Sequence, residues 1–103
     1  MTDRHVDRLF LRFLRRADPS ALAEVFDRTA PELLELAVHL VRDPVEAEDV
    51  LQATFVVAIE RAETFDRSRR VMPWLVGILA KQASLARRRA RRVVEPDRLT
   101  PRS

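Results

Sequence analysis

Apolar residues along this chain return every three or four positions, segment after segment, and never settle into one-by-one alternation. Val6, Leu9, Phe10, Phe13 and Leu14 form a first such stripe, and Leu22, Val25 and Phe26 a second. Leu33, Leu34, Ala37, Leu40 and Val41 form a third, and Val50, Leu51, Phe55, Ala58, Ile59 and Ala62 a fourth. The last comprises Leu75, Ile78, Leu79, Gln82, Leu85 and Ala86. A period near 3.6 with one apolar side per segment predicts amphipathic helices that bury those sides against one another. The expected fold is all-α, a compact bundle of about four to five helices.

Local signals place the joints. Thr2 or Asp3 suits the cap of a first helix, and Asp18-Pro19 and Asp43-Pro44 each pair a capping carboxylate with a proline at the first helical position. Glu46 stands three residues after Asp43, a carboxylate in the first turn of a helix running to about Glu63. Pro31 has no N–H and its ring clashes with the carbonyl four residues back, so a break or kink is expected near Thr29–Pro31, with a further helix to about Arg42. Thr64–Val71 has loop character, and Pro73 fits the first turn of a final helix reaching about Arg92. Residues 1–92 then make one domain, and 93–103, with Pro96 and Pro101, a linker or disordered tail.

Charge divides the chain. Residues 1–66 carry eight Arg against fourteen carboxylates, and residues 67–103 carry ten Arg and Lys81 against Glu95 and Asp97. The overall +3 thus conceals an acidic front and a basic back, and two partners of opposite character are expected. With no Cys, disulfides and thiolate metal sites are excluded. No apolar run reaches the roughly 20 residues that span a bilayer, and Met1–Arg16 lacks a signal-peptide pattern, so no membrane partner is expected and the chain reads as cytoplasmic.

Catalytic chemistry finds no foothold. A single Gly cannot build a phosphate-cradling loop, and Ser20, Ser68 and Ser84 are scattered. His5 and His39 stand far apart, each an ordinary surface or boundary residue, and no metal or cofactor is expected. Two binding faces do stand out. On the helix from Pro44, Glu46, Asp49, Gln52, Glu60 and Glu63 fall largely off the apolar stripe, as a partner-facing or simply solvated side. Farther on, five arginines within Arg87–Arg92 suit phosphates, which they position rather than read. Trp74, Gly77, Lys81, Ser84, Arg88 and Arg91 share one side of the last helix. Trp74 there either stacks on a base or supports the loop from the core. Gly77 suggests close approach of another backbone, or an unconstrained solvated position.

These stretches carry a resemblance. EAEDVLQATF (Glu46–Phe55) is similar to the AEDLVQE-F motif of bacterial extracytoplasmic-function (ECF) sigma factors, in their region 2. FD…PWLVGI (Phe65–Ile78), followed by the arginine run, resembles that family's F-x-x-W-L-x-x-I-A-x-N segment. The resemblance spans residues 3–92 and implies a division of labour. Glu46, Asp49, Gln52 and Ala53 would meet the clamp helices of the RNA polymerase β′ subunit. Phe65, Arg67, Arg69, Arg70, Trp74, Lys81, Ser84, Arg87, Arg88 and Arg91 would engage the promoter −10 element and hold its single-stranded non-template strand.

Three positions depart from the family pattern. Ala53 stands where a Glu is usual, Lys81 where Asn follows I-A-x, and Leu85 where an acid often occurs. The base preference of relatives therefore does not transfer to this chain. The resemblance further implies a possible anti-sigma partner, and a −35-reading domain absent from these 103 residues, as in a fragment or atypical member. Two other readings fit the residues: a helical adaptor that binds only protein, and a non-specific nucleic-acid binder.

Overall fold

The computed structural model describes the backbone of residues 4–99 and side chains as far as Arg91. The proposed caps Thr2 and Asp3 lie outside the described residues. Four α-helices follow one another, α1 (Arg4–Arg16), α2 (Pro19–Val41), α3 (Pro44–Glu60) and α4 (Val71–Leu99), with a 3-10 turn at Ala62–Thr64. The bundle is all-α, as the periodicity requires.

Both cap-plus-proline joints form. Asp18 accepts hydrogen bonds from the Ser20 N–H at 3.1 Å, the Ser20 hydroxyl at 2.8 Å and the Ala21 N–H at 3.4 Å. The Ser20 hydroxyl and these backbone donors hold the Asp18 carboxyl below its ordinary range. Asp43 accepts from the Val45 N–H at 3.1 Å. Each preceding helix ends on a left-handed residue, Ala17 (φ 51°) and Arg42 (φ 62°), so the chain reverses within two residues.

The break expected at Thr29–Pro31 does not occur, because α2 is one helix with Pro31 inside it. Ala21, Val25, Thr29, Leu33 and Ala37, spaced by four, are all buried. Their packing spans the proline and outweighs a local cost of about 3 kcal/mol. Pro31 itself is exposed. Just before it, the buried Thr29 hydroxyl donates to the Val25 carbonyl at 2.9 Å, so that polar atom is satisfied.

On α3 the buried set is Ala47, Val50, Leu51, Thr54 and Ala58, while Phe55 is half-buried and Ile59 exposed. The seam is narrower than the apolar stripe in the sequence because Thr54 enters the core, donating its hydroxyl to the Val50 carbonyl at 2.8 Å. Phe55 reaches α2, where its ring stacks on Phe26 with centroids 4.0 Å apart.

Helix α4 begins two residues before Pro73 and continues through Pro96 to Leu99, past the expected end at Arg92. Val71, Met72, Leu75, Leu79, Ala83 and Ala86 are its buried residues, with Ile78, Gln82 and Leu85 only half-buried beside them. Residues 100–103 of the expected linker lie outside the described residues.

A left-handed conformation costs an L-residue about 1–2 kcal/mol that glycine avoids. Ala17→Gly is therefore expected to raise stability by about 1 kcal/mol, read as an increased urea midpoint at unchanged slope.

Candidate nucleic-acid and protein interfaces

Nothing local caps α4. The residue before Val71 is Arg70, which offers no acceptor to the helix N-terminus. The acceptor comes from α1 instead. The Val71 N–H donates to Asp7 Oδ1 at 2.9 Å, and Arg70 Nε donates to Asp7 Oδ2 at 3.1 Å. One carboxylate thus fixes both the start of α4 and the end of the loop before it. The Asp7 side chain is 19% exposed, so its charge-assisted bonds are partly shielded from water.

Beneath this tie lies an aromatic trio. Phe10 of α1 meets the Phe65 ring edge-to-face at 5.1 Å and the Trp74 indole at 5.6 Å, and Phe65 and Trp74 lie 5.0 Å apart. Phe65 is buried, so its role is to anchor the loop rather than present a free ring. Trp74 is half-buried, with Phe10 and Phe65 packed against it. The core-support reading of the indole therefore holds, although its remaining surface stays accessible.

That surface divides two openings. One, of about 560 Å³, is lined by Thr64, Phe65, Asp66, Arg69, Arg70, Pro73 and Trp74. The other, of about 450 Å³, runs between the end of α3 and α4, past Glu60, Arg61, Trp74, Gly77, Lys81 and Gln82. Over the first opening Asp66 organises the loop. It accepts from the Ser68 hydroxyl at 2.7 Å and the Ser68 N–H at 3.0 Å, and lies 3.5 Å from Arg69 Nε. The Ser68 hydroxyl above all, then its N–H, lowers the Asp66 pKa. Arg67 is exposed.

Along α4, Lys81, Arg88 and Arg91 are exposed and Ser84 is half-buried. A Cβ at Gly77 would meet nothing within 4 Å, so no backbone of this chain demands glycine there. Arg87 is turned toward α2, donating to the Leu40 carbonyl at 3.2 Å, and so helps satisfy that helix's last turn. Arg70 and Arg87, two of the expected phosphate contacts, are thus engaged with the protein itself.

The exposed side of α3 is a second, separate surface. At 100° per residue, Val45, Asp49, Gln52, Val56 and Ile59 fall on one side, pointing away from the buried seam. Val45 is 71% exposed, Val56 52% and Ile59 49%. Glu46 and Ala53 are half-buried at its flank. Asp49 and Gln52 therefore sit among exposed apolar side chains, with the exposed carboxylates Glu48 and Glu60 at the borders, a mixture that charge patterning alone did not reveal. No cluster of metal-ligating side chains is present among the described residues. None of the helices described is long and apolar enough to cross a membrane.

Residues 25–93 match the family described as Sigma-70 region 2. The chain belongs to that family. It is a sigma factor region 2 domain of the extracytoplasmic-function type. The chain is 37% identical over 73 residues to "RNA polymerase sigma factor CarQ" of Myxococcus xanthus, covering 71% of this chain and 42% of that protein. The chain thus spans less than half of that curated relative. No solved structure matches it. The matched family segment of this region 2 domain begins at Val25, so α1, with Asp7 and Phe10, lies ahead of it.

Sequence reasoning missed Asp7 and Phe10 as parts of the site. The available signal was negative: Arg70-Val71 opens a helix with no capping residue of its own. Asp7→Ala should cost about 1–3 kcal/mol and red-shift the emission of Trp74, the chain's single tryptophan, with helical circular dichroism retained. Asp7→Asn keeps an acceptor for Val71 and should be the milder of the two.

Because the Asp66 pKa is lowered on folding, its contribution to loop order is fully present above the ordinary carboxylate range. It is lost as pH falls through the lowered value. An NMR pH titration should show the Ser68 and Arg69 amides shifting together at a midpoint below that of an unstructured Asp.

Proposed function

We propose that this domain serves transcription initiation in the cytoplasm. It binds core RNA polymerase, at the β′ clamp helices, through the exposed side of α3, and holds the melted promoter −10 element with the loop and α4. The observation that carries the reading is the separation of two exposed surfaces of opposite chemistry on one rigid bundle.

On α3, Val45, Val56 and Ile59 supply apolar area around Asp49 and Gln52. An apolar centre with a few hydrogen-bonding groups is what a stable helix-to-helix contact needs. Glu46 contributes from the flank, and Ala53 supplies only packing.

On the other surface, the opening beside Trp74 is large enough for an unstacked base. Taking a base out of the stack costs a few kcal/mol, offset by contacts in the opening and by phosphate pairing. Arg67 and Arg69 supply charge at its rim, and Lys81, Ser84, Arg88 and Arg91 continue it along α4. Arg70, Arg87 and Phe65 act by holding loop, helix and indole in place. An anti-sigma protein that covered one surface would block that contact alone, and one that covered both would silence the domain.

A single-stranded −10 oligonucleotide should quench Trp74 saturably, with affinity falling steeply as salt rises. Asp49→Arg should weaken capture by core polymerase about tenfold while leaving that quenching unchanged. Undiminished capture would remove α3 from the polymerase contact, and absent quenching would remove the pocket from the DNA contact.

A further inference from the structure

Helix α1 carries a basic face that neither surface above uses. At 100° per residue Arg4, Arg8 and Arg15 project together, opposite the buried Val6, Leu9 and Phe10. All three arginines are exposed, and no described carboxylate forms an ion pair with them. Arg12 lies to one side, where its charge acts on Asp18. Local stability does not account for this pattern. Arg15 sits favourably at the C-terminal end of the helix dipole, whereas Arg4 sits in the first turn, where the dipole repels a cation.

The face has defined borders. On one edge is Asp7, one turn from Arg4, whose carboxylate is occupied by Arg70 and the Val71 N–H. On the other edge His5 lies 3.7 Å from Glu24 of α2. Through Asp7 the arginine face continues into the loop that rims the Trp74 opening. From Arg4 to Arg15 it extends about 16 Å along the helix.

We infer that the Arg4–Arg8–Arg15 face of α1 is a second phosphate track, which grips the DNA backbone next to the segment held at the Trp74 opening. This rests on the DNA reading of that opening. Charge and continuity select DNA as the occupant. An amphipathic membrane helix would need its apolar side free, and here that side is built into the core. A track of guanidinium groups on a rigid helix contacts phosphates without reading sequence. It therefore adds affinity and salt dependence, and leaves base preference to the pocket.

The test compares the 103-residue chain with an Arg4→Gln/Arg8→Gln/Arg15→Gln variant on two probes, a short single-stranded oligonucleotide and a forked duplex with a single-stranded arm. On the fork, the slope of log affinity against log salt should become shallower by about 0.9 for each duplex phosphate that the variant no longer neutralises, two to three units in all. Saturating quenching of Trp74 by the short oligonucleotide should persist. An unchanged fork slope overturns the track. So does weakened binding to phosphatidylserine vesicles with binding to the fork intact, which would reassign the face to a lipid surface. Failure of the short probe to quench Trp74 in the unmodified chain would overturn the pocket instead, and the fork slope would still decide the track. Should the triple variant lose its helical signal, Arg4→Gln and Arg8→Gln singly should each lower the slope by about 0.9.

Discussion

The carboxylate of Asp7 decides where the wall of the pocket stands. It neutralises Arg70, caps α4 at Val71 and couples both to the first helix. Without an acceptor, the first N–H groups of α4 would face the end of a basic loop, where charge and helix dipole repel one another. With it, Trp74 is carried one turn into a helix whose origin is fixed, and Phe10 and Phe65 pack on the indole as aromatic neighbours. Electrostatics sets the position, and aromatic packing keeps it.

This arrangement keeps two exposed surfaces apart on a small domain. The side of α3 left outside the core combines apolar area with two hydrogen-bonding groups, while the basic surface is spread over α1, the loop and α4. Core packing separates the two because it takes its own side from every helix. The match to the sigma-70 region 2 family covers α2 from Val25, all of α3, and α4 as far as Val93. The contribution of α1 is visible only in the three-dimensional contacts.

How much of this was legible in the sequence follows from how local each cause is. The caps at Asp18 and Asp43 act within three residues, and the chain spells them out directly. Pro31 carried a correct local penalty but was overruled by five buried residues spread over four turns, a tertiary effect. Phe65 and Trp74 stand out in the sequence as candidate DNA contacts, and only the coordinates show that one ring is buried and the other borders two openings. Arg87 read as a phosphate contact because a run of arginines looks uniform, whereas its partner is a carbonyl 47 positions away. Asp7 was beyond reach for the same reason, since nothing near it in the chain marks its role.

The tight corners at Ala17 and Arg42 have a kinetic consequence. They let α1, α2 and α3 find one another as successive hairpins with little loop entropy to overcome. The Asp7–Val71 bond instead joins residues 64 apart, so its closure costs more loop entropy than either corner. The part of the domain around the Trp74 opening, which depends on that bond, is therefore expected to close after the α1–α3 hairpins.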